Sequence, residues 1–142
     1  MHIRPFQPED EDALVALWRN CGLVRPQNDP LKDIRRKLKV RPDLLLVGIL
    51  DGMIVASVMA GYEGHRGWIN YLAVAPELRR KGLGREIVAE AERLLKTEGC
   101  PKVNLQVRTT NQEAMKFYRR IGYSVDDVVS MGKRLEADGP AV

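Results

Sequence analysis

The most informative segment of this chain is Leu72-Ala73-Val74-Ala75-Pro76-Glu77-Leu78-Arg79-Arg80-Lys81-Gly82-Leu83-Gly84-Arg85. An apolar, strand-like run stops at Pro76, becomes basic, and passes through two glycines into a helical pattern. Glycines allow the backbone to approach a ligand closely, and the start of a helix offers unpaired N–H groups and the positive end of its dipole. Four basic residues stand against one acid between Glu77 and Arg85. The segment therefore predicts a site for a strongly charged anion, for which a diphosphate is the natural candidate.

An antiparallel meander is predicted on the N-terminal side of this segment. Residues 44–50 form an apolar run, Asp51-Gly52 is a strong hairpin signal, and residues 53–62 return as the partner strand. A looser connection at residues 63–67 leads into a strand at residues 68–74. Three antiparallel strands thus precede the glycine loop.

The rest of the chain adds helices and further strands on both sides of the meander. Upstream we expect a strand at residues 3–6 and two helices, the second beginning at Asn28-Asp29-Pro30, where an N-cap precedes proline. Downstream we expect a helix, a strand, a helix and closing strands at residues 84–98, 103–107, 111–121 and within Val125 to Leu135. The order β-α-α-β-β-β-α-β-α-β-β predicts an α/β sandwich around a mixed sheet.

The position of the glycine loop excludes two common phosphate-binding motifs. Dinucleotide-binding loops follow the first strand of a parallel βαβ unit, whereas this loop follows an antiparallel meander. A Walker loop needs Gly-Lys-Ser/Thr, but Gly84 is followed by Arg85-Glu86.

Two separate motifs resemble those of the GCN5-related N-acetyltransferase (GNAT) superfamily. Arg79, Gly82 and Gly84 match its coenzyme A loop, Arg/Gln-x-x-Gly-x-Gly/Ala. The segment Asn111 to Tyr123 fits its Asn-x-x-Ala-x-x-x-Tyr-x-x-x-Gly-Tyr/Phe pattern. The resemblance covers essentially the whole chain in the right element order, so it implies one GNAT domain over residues 1–142. It also implies a mostly antiparallel mixed sheet that is splayed at its centre and has helices on both faces.

The resemblance implies an N-acetyltransferase that moves acetyl from acetyl-CoA directly to a primary amine of a small molecule or a peptide. The residues that it assigns to acetyl-CoA are Leu72, Ala73, Val74, Arg79, Arg80, Lys81, Gly82, Leu83, Gly84, Arg85 and Asn111. The pantetheine arm would pair with the strand backbone, and the loop would hold the phosphates. Tyr118 would be the general acid that protonates the leaving thiolate.

The sequence does not identify the general base that takes the proton of the acceptor amine. A strand position that commonly holds Glu in related peptide N-terminal acetyltransferases holds Gln106, which cannot take a proton. Histone-type relatives use a Glu near the start of the fourth strand, where this chain has Trp68. The remaining candidates are Glu63 and His65 before that strand and Asp29 between the first two helices, and Tyr71 either lines the site or packs.

The loop between the first two helices would cover the acceptor in this superfamily, and here it carries Arg25, Asn28 and Asp29. This loop, residues 61–67 and the terminal Gly132-Lys133-Arg134-Leu135 resemble the bacterial YpeA-type acetyltransferases. That closer resemblance names no acceptor.

Composition limits the partners. A net charge of +4 with 6% aromatic residues suits an anionic ligand and does not predict nucleic-acid binding. The basic residues of 32–41 are expected to form a solvated helix face. Cys21 and Cys100 lack metal-ligand spacing, so no metal is expected. No apolar run predicts a membrane span, and we expect a cytoplasmic protein, with a homodimer as an alternative to a monomer. The rival function is a non-catalytic acyl-CoA-binding sensor, because Gln106 and Trp68 replace the usual bases.

Overall fold

The computed structural model describes residues 1–138 and contains a five-stranded sheet in the order β1-β2-β3-β4-β5. The strands are His2–Pro5 (β1), Leu45–Leu50 (β2), Met53–Tyr62 (β3), Gly67–Val74 (β4) and Val103–Leu105 (β5). The helices are Glu11–Asn20 (α1), Pro30–Leu38 (α2), Leu83–Thr97 (α3) and Gln112–Arg120 (α4). The pairs from β1 to β4 are antiparallel and β4 pairs with β5 in parallel, which confirms the mixed α/β sheet.

Helices cover both faces of this sheet, and each face has its own hydrophobic cluster. On one face, α1 and α2 bury Leu14, Trp18 and Ile34 against the sheet. On the other face, α3 buries a stripe at helical spacing that includes Ile87 and Leu95, and parts of α4 pack beside it. Because strand residues alternate between the two faces, β2, β3 and β4 each contribute to both clusters.

The sheet opens between β4 and β5. Only three residues of β4 pair with β5, and the last of these pairs joins Ile69 to Leu105. Beyond Ile69, β4 continues to Val74 and pairs with β3 alone. The predicted splay at the centre of the sheet is therefore confirmed, and it exposes the backbone edge of the strand that leads into the glycine loop.

The prediction of closing strands within Val125 to Leu135 is wrong, because this segment contains no strand in the described part of the chain. Side chains fasten it beside β5 through contacts from Lys102 to Asp126, at 2.7 Å, and from Gln106 to Ser130. β5 is only three residues long and offers few backbone groups for a ladder. Adjacent charges at residues 126–127 also disfavour a strand. Its apolar side chains, including Val129, are therefore exposed.

Candidate active site

The glycine loop turns the chain from β4 into α3. A 3-10 turn at Pro76–Leu78 follows the end of β4 and changes the direction of the chain. Gly82 is the N-cap of α3 and has a left-handed φ of 81°. Glycine adopts this conformation without the steric cost that other residues meet. The first helical hydrogen bond runs from the Glu86 N–H to the Gly82 oxygen at 3.0 Å. The N–H groups that precede Glu86 therefore point out of the helix end, where an anion can accept from them.

The basic side chains of this loop remain available to a ligand. Within residues 1–138, no ion pair joins any of the loop's four cations to a carboxylate; these cations are Arg79, Arg80, Lys81 and Arg85. All four are exposed. Arg79 also donates from Nε to the Val74 carbonyl at 3.3 Å, which ties the loop to the end of β4.

The end of β4 combines a packed side with an open backbone edge. Ala73 is buried in the cluster under α1 and α2, whereas Leu72 and Val74 pack on the α3 side. The Val74 carbonyl accepts from Arg79 and from the Cys21 thiol, the latter at 3.3 Å. These side chains fix the strand, and the edge facing the gap beside β5 stays open.

Helix α4 packs directly on the start of α3. A Cβ atom built at Gly84 would lie 3.2 Å from Cζ of Phe117, so glycine permits this close approach. Asn111 caps α4 through its side-chain oxygen, which accepts from the Ala114 N–H at 3.1 Å. The two sequence motifs, far apart in the chain, are thereby joined through the contact of α4 with the glycine loop.

Tyr118 stands at the wall of a groove beside β5. Its ring meets those of Phe117 and Tyr123 edge-on, with centroids 5.1 and 5.7 Å apart. The Tyr123 hydroxyl donates to Glu92 on α3 at 2.7 Å, which anchors this aromatic group. The groove measures about 1250 Å³ and is also lined by Gln106. Burial raises the pKa of Tyr118 to about 12, so its hydroxyl keeps its proton at neutral pH.

The base candidates from the sequence lie elsewhere or are engaged. Glu63 accepts the backbone N–H groups of His65 and Arg66, and these hydrogen bonds lower the pKa of Glu63. It lies in the β3–β4 connection, at the opposite end of β4 from Val74. Asp29 caps α2 by accepting the N–H groups of residues 31 and 32. Neither carboxylate is brought into contact with Tyr118.

Sequence reasoning missed Asp33 and the contacts of the C-terminal segment. The Tyr71 hydroxyl donates to Asp33 Oδ2 at 2.6 Å across 38 residues of sequence. Asp138 accepts the Asp29 N–H at 3.4 Å, so the segment reaches the loop between α1 and α2. A single aspartate among the basic residues of α2 carries no local pattern that indicates such a partner. The helical spacing of apolar residues predicts that Asp33 lies on α2. Its pairing with Tyr71 depends on which face of the sheet carries the Tyr71 side chain.

Comparisons with known proteins agree with this arrangement. The model of the acetyltransferase (GNAT) family matches residues 9–123. An acetyltransferase of Pectobacterium atrosepticum is 44% identical over 138 residues, which are 97% of this chain and 98% of that protein.

Solved structures show the same fold. The PaiA N-acetyltransferase of Thermoplasma acidophilum, solved with coenzyme A, has a TM-score of 0.80 and 20% identity, and the match covers 90% of this chain and 92% of that one. Naa20 of Chaetomium thermophilum, solved with a bisubstrate analogue, has a TM-score of 0.70 and 29% identity. That match covers 88% of this chain and 72% of Naa20.

Proposed function

The chain belongs to the GNAT family of acetyltransferases, and from that premise we propose how its residues divide the reaction. The protein is an N-acetyltransferase that uses acetyl-CoA. We propose that acetyl passes directly to a primary amine while donor and acceptor are bound together. The observation that carries the donor site is the glycine loop, where outward N–H groups and four cations without carboxylate partners in residues 1–138 surround the start of α3.

The donor is proposed to lie along the open edge of β4 and across the loop. The backbone at Leu72 and Val74 has no partner in β5, so the amides of a pantetheine arm can pair there as a strand would. The pyrophosphate would accept from the N–H groups around Gly82 and Gly84, with the cations of residues 79–85 shared between it and the 3′-phosphate. Asn111 and Ala73 would complete this site.

Tyr118 is proposed as the general acid. The amine nitrogen forms a bond to the acetyl carbonyl carbon, the carbon–sulfur bond breaks, and the thiolate takes the proton of the Tyr118 hydroxyl. The nitrogen loses its own proton to water, and water returns a proton to the Tyr118 phenolate. With a pKa raised by burial to about 12, the Tyr118 hydroxyl carries its proton at neutral pH, as an ordinary tyrosine also does, so it can supply the proton. Glu63 stays a candidate base, although its lowered pKa makes it a weak one.

The experiment compares wild type with Tyr118→Phe, which removes one hydroxyl and keeps the ring. We expect turnover to fall roughly 100-fold, because general acid catalysis contributes about that much or more, with acetyl-CoA affinity nearly unchanged. Calorimetric titration with acetyl-CoA and thiol release with a panel of primary amines measure the two quantities. Tyr62→Phe, which removes a hydroxyl at the end of β3 that donates to the Gly64 carbonyl, is the matched control.

The outcomes separate the proposals. Equal turnover in Tyr118→Phe would remove Tyr118 from the mechanism. Failure of wild type to bind acetyl-CoA would contradict the donor site. Binding without transfer to any amine would favour the sensor function. The similarity to proteins named as acetyltransferases argues against that function.

Three finer predictions accompany this function. We propose that the protein is of the YpeA type, that it acts in the cytoplasm, and that it forms a homodimer or acts as a monomer. Among residues 1–138, no helix has the length and apolar character needed to cross a membrane.

A further inference from the structure

A β-bulge lies on β4 just beyond the last pair with β5. Ser57 pairs with Ala73 and Met59 with Asn70, so a single β3 residue faces both Tyr71 and Leu72. Tyr71 has a φ of 51°, which is uncommon for a bulky residue. Bulges re-aim side chains and occur near active sites. This one lies where the proposed donor site meets the centre of the sheet.

The bulge turns Tyr71 to the face opposite Tyr118. Two residues apart on a regular strand share a face, yet Ile69 packs on the α3 side and Tyr71 on the side of α1 and α2. The Tyr71 ring stacks on Trp18 with centroids 3.9 Å apart. The aromatic neighbours of Tyr118 belong to the α3 side. The two tyrosines therefore flank the opening of the sheet from opposite faces.

The Tyr71 hydroxyl holds a carboxylate on that second face. It donates to Asp33 Oδ2 at 2.6 Å, while Arg36 donates to Asp33 Oδ1 at 3.1 Å. Burial and the neighbouring Asp33 raise the pKa of Tyr71, so Tyr71 acts as a donor and not as a base. The Asp33 side chain keeps 24% of its surface exposed, although each of its oxygens already accepts one hydrogen bond. Arg36 does not fully neutralise Asp33, because its guanidinium also binds Asp138.

The carboxylates that the sequence offered as candidate general bases are committed to local structure. Asp29 caps α2, and Glu63 closes its own loop. Asp33 is therefore the carboxylate that combines exposure, a fixed orientation and a position beside the bulge.

We propose that Asp33, oriented by Tyr71, binds the positively charged amine of the acceptor on the face of the sheet opposite Tyr118. This inference rests on the proposed function and deepens it, because it names the acceptor as a cationic primary amine. Asp33 binds the ammonium group through charge-assisted hydrogen bonds, and Tyr71 is a positioning residue that fixes the carboxylate. The amine loses its proton to water before it attacks, so the inference adds no covalent step.

The test compares Asp33→Asn, which removes the charge and keeps the shape, with Tyr71→Phe, which keeps the stacking on Trp18. The probes are spermidine, a lysine-containing peptide and ethylamine as cationic acceptors, and hydroxylamine as a nucleophile that is largely neutral near pH 7. The readout is the ratio of kcat/KM for cationic acceptors to that for hydroxylamine. We expect Asp33→Asn to lower this ratio about tenfold by raising KM for the cationic amine.

Controls keep a folding defect apart from a binding defect. Asp12→Asn removes an exposed carboxylate of α1 and should leave the ratio unchanged. Acetyl-CoA affinity and Tm should stay close to wild type in Asp33→Asn, and Tyr71→Phe should lower the ratio by a smaller factor. A ratio that Asp33→Asn leaves unchanged overturns the inference and leaves the proposed function standing. Transfer to none of the cationic amines also overturns it, whereas loss of acetyl-CoA binding in wild type overturns the proposed function.

Discussion

Two basic surfaces of this protein are similar in composition and differ in how their charges are used. The loop Arg79–Arg85 carries four cations, and none of them pairs with a carboxylate in residues 1–138. On α2, Lys32, Arg35 and Arg36 each pair with a carboxylate from another part of the chain. The loop therefore keeps its positive charge unpaired, whereas carboxylates of the same chain offset the charge of these three residues on α2.

This difference teaches that a count of basic residues does not locate an anion site. Exposed ion pairs contribute little stability, so the pairs on α2 matter mainly because they consume charge. The loop also has backbone N–H groups at the start of α3 that no side chain accepts from, whereas the N–H groups at the start of α2 are capped by Asp29. The prediction that the basic helix does not bind nucleic acid gains a physical reason from this pairing.

The largest expected effect comes from Gly82→Asp. The new carboxylate would stand where the phosphates are proposed to bind, and at least two charge-assisted hydrogen bonds would be lost. We expect acetyl-CoA affinity to fall about 100-fold, measured by calorimetric titration.

Gly52→Asp is the control for backbone strain. Gly52 has a φ of 76° against 81° for Gly82, and a Cβ atom at either position would meet nothing within 4 Å. Both variants should lose about 1–2 kcal/mol of stability from the left-handed conformation, but only Gly82→Asp should lose affinity. Equal affinities in the two variants would mean that the loop is not the phosphate site.

A smaller effect is expected when charge alone is removed. The double variant Arg80→Ala/Lys81→Ala should weaken acetyl-CoA binding about tenfold and reduce its dependence on salt. The double variant Arg35→Ala/Lys39→Ala removes the same charge from α2 and its C-cap, and it should change neither quantity. Titrations at low and high salt measure both, and similar losses in the two variants would show that only net charge matters.

The fold could be predicted from the sequence where the signal is local. The hairpin at Asp51-Gly52, the cap at Asp29 and the period of α3 each fixed an element within a few residues of its observed bounds. The closing strands failed because the apolar residues between Val125 and Leu135 indicate a strand only if β5 offers a ladder, and β5 ends at Leu105. Whether β5 is long enough to pair with another strand depends on the tertiary structure and not on the local sequence.

The candidate site divides in the same way. The proposed donor side relies on glycines and on backbone groups, so the sequence indicates it directly around Gly82 and Asn111. The proposed acceptor side relies on side chains that meet only after β4 has bulged, so the sequence places Tyr71 near the site but carries no signal for Asp33. No residue spacing in the sequence predicts the contact between Tyr71 and Asp33, because this contact requires the bulge to move the Tyr71 side chain to the other face of the sheet.

The smallest expected effect concerns the carboxylates that neutralise α2. Asp138 accepts from both terminal nitrogens of Arg36, and this contact holds the pKa of Asp138 well below its usual range. A lowered pKa in the folded state gives stability that is present above the unfolded value of about 3.9 and lost as pH falls through the folded value. We therefore expect Asp138→Asn to lower Tm slightly at neutral pH, and the difference from wild type to shrink below about pH 4.

The control and a second readout connect this prediction to the two basic surfaces. Asp127→Asn removes an exposed carboxylate of the terminal segment and should leave Tm unchanged at every pH. Asp138→Asn frees part of the charge of Arg36, so α2 should present unpaired positive charge as the loop does. Both Asp138→Asn and Asp127→Asn lose one negative charge. We nevertheless expect Asp138→Asn to elute later from a cation-exchange column at neutral pH. Identical elution, together with a Tm difference that does not depend on pH, would show that Asp138 supports the segment by packing and that the charge of α2 is not set by this pair.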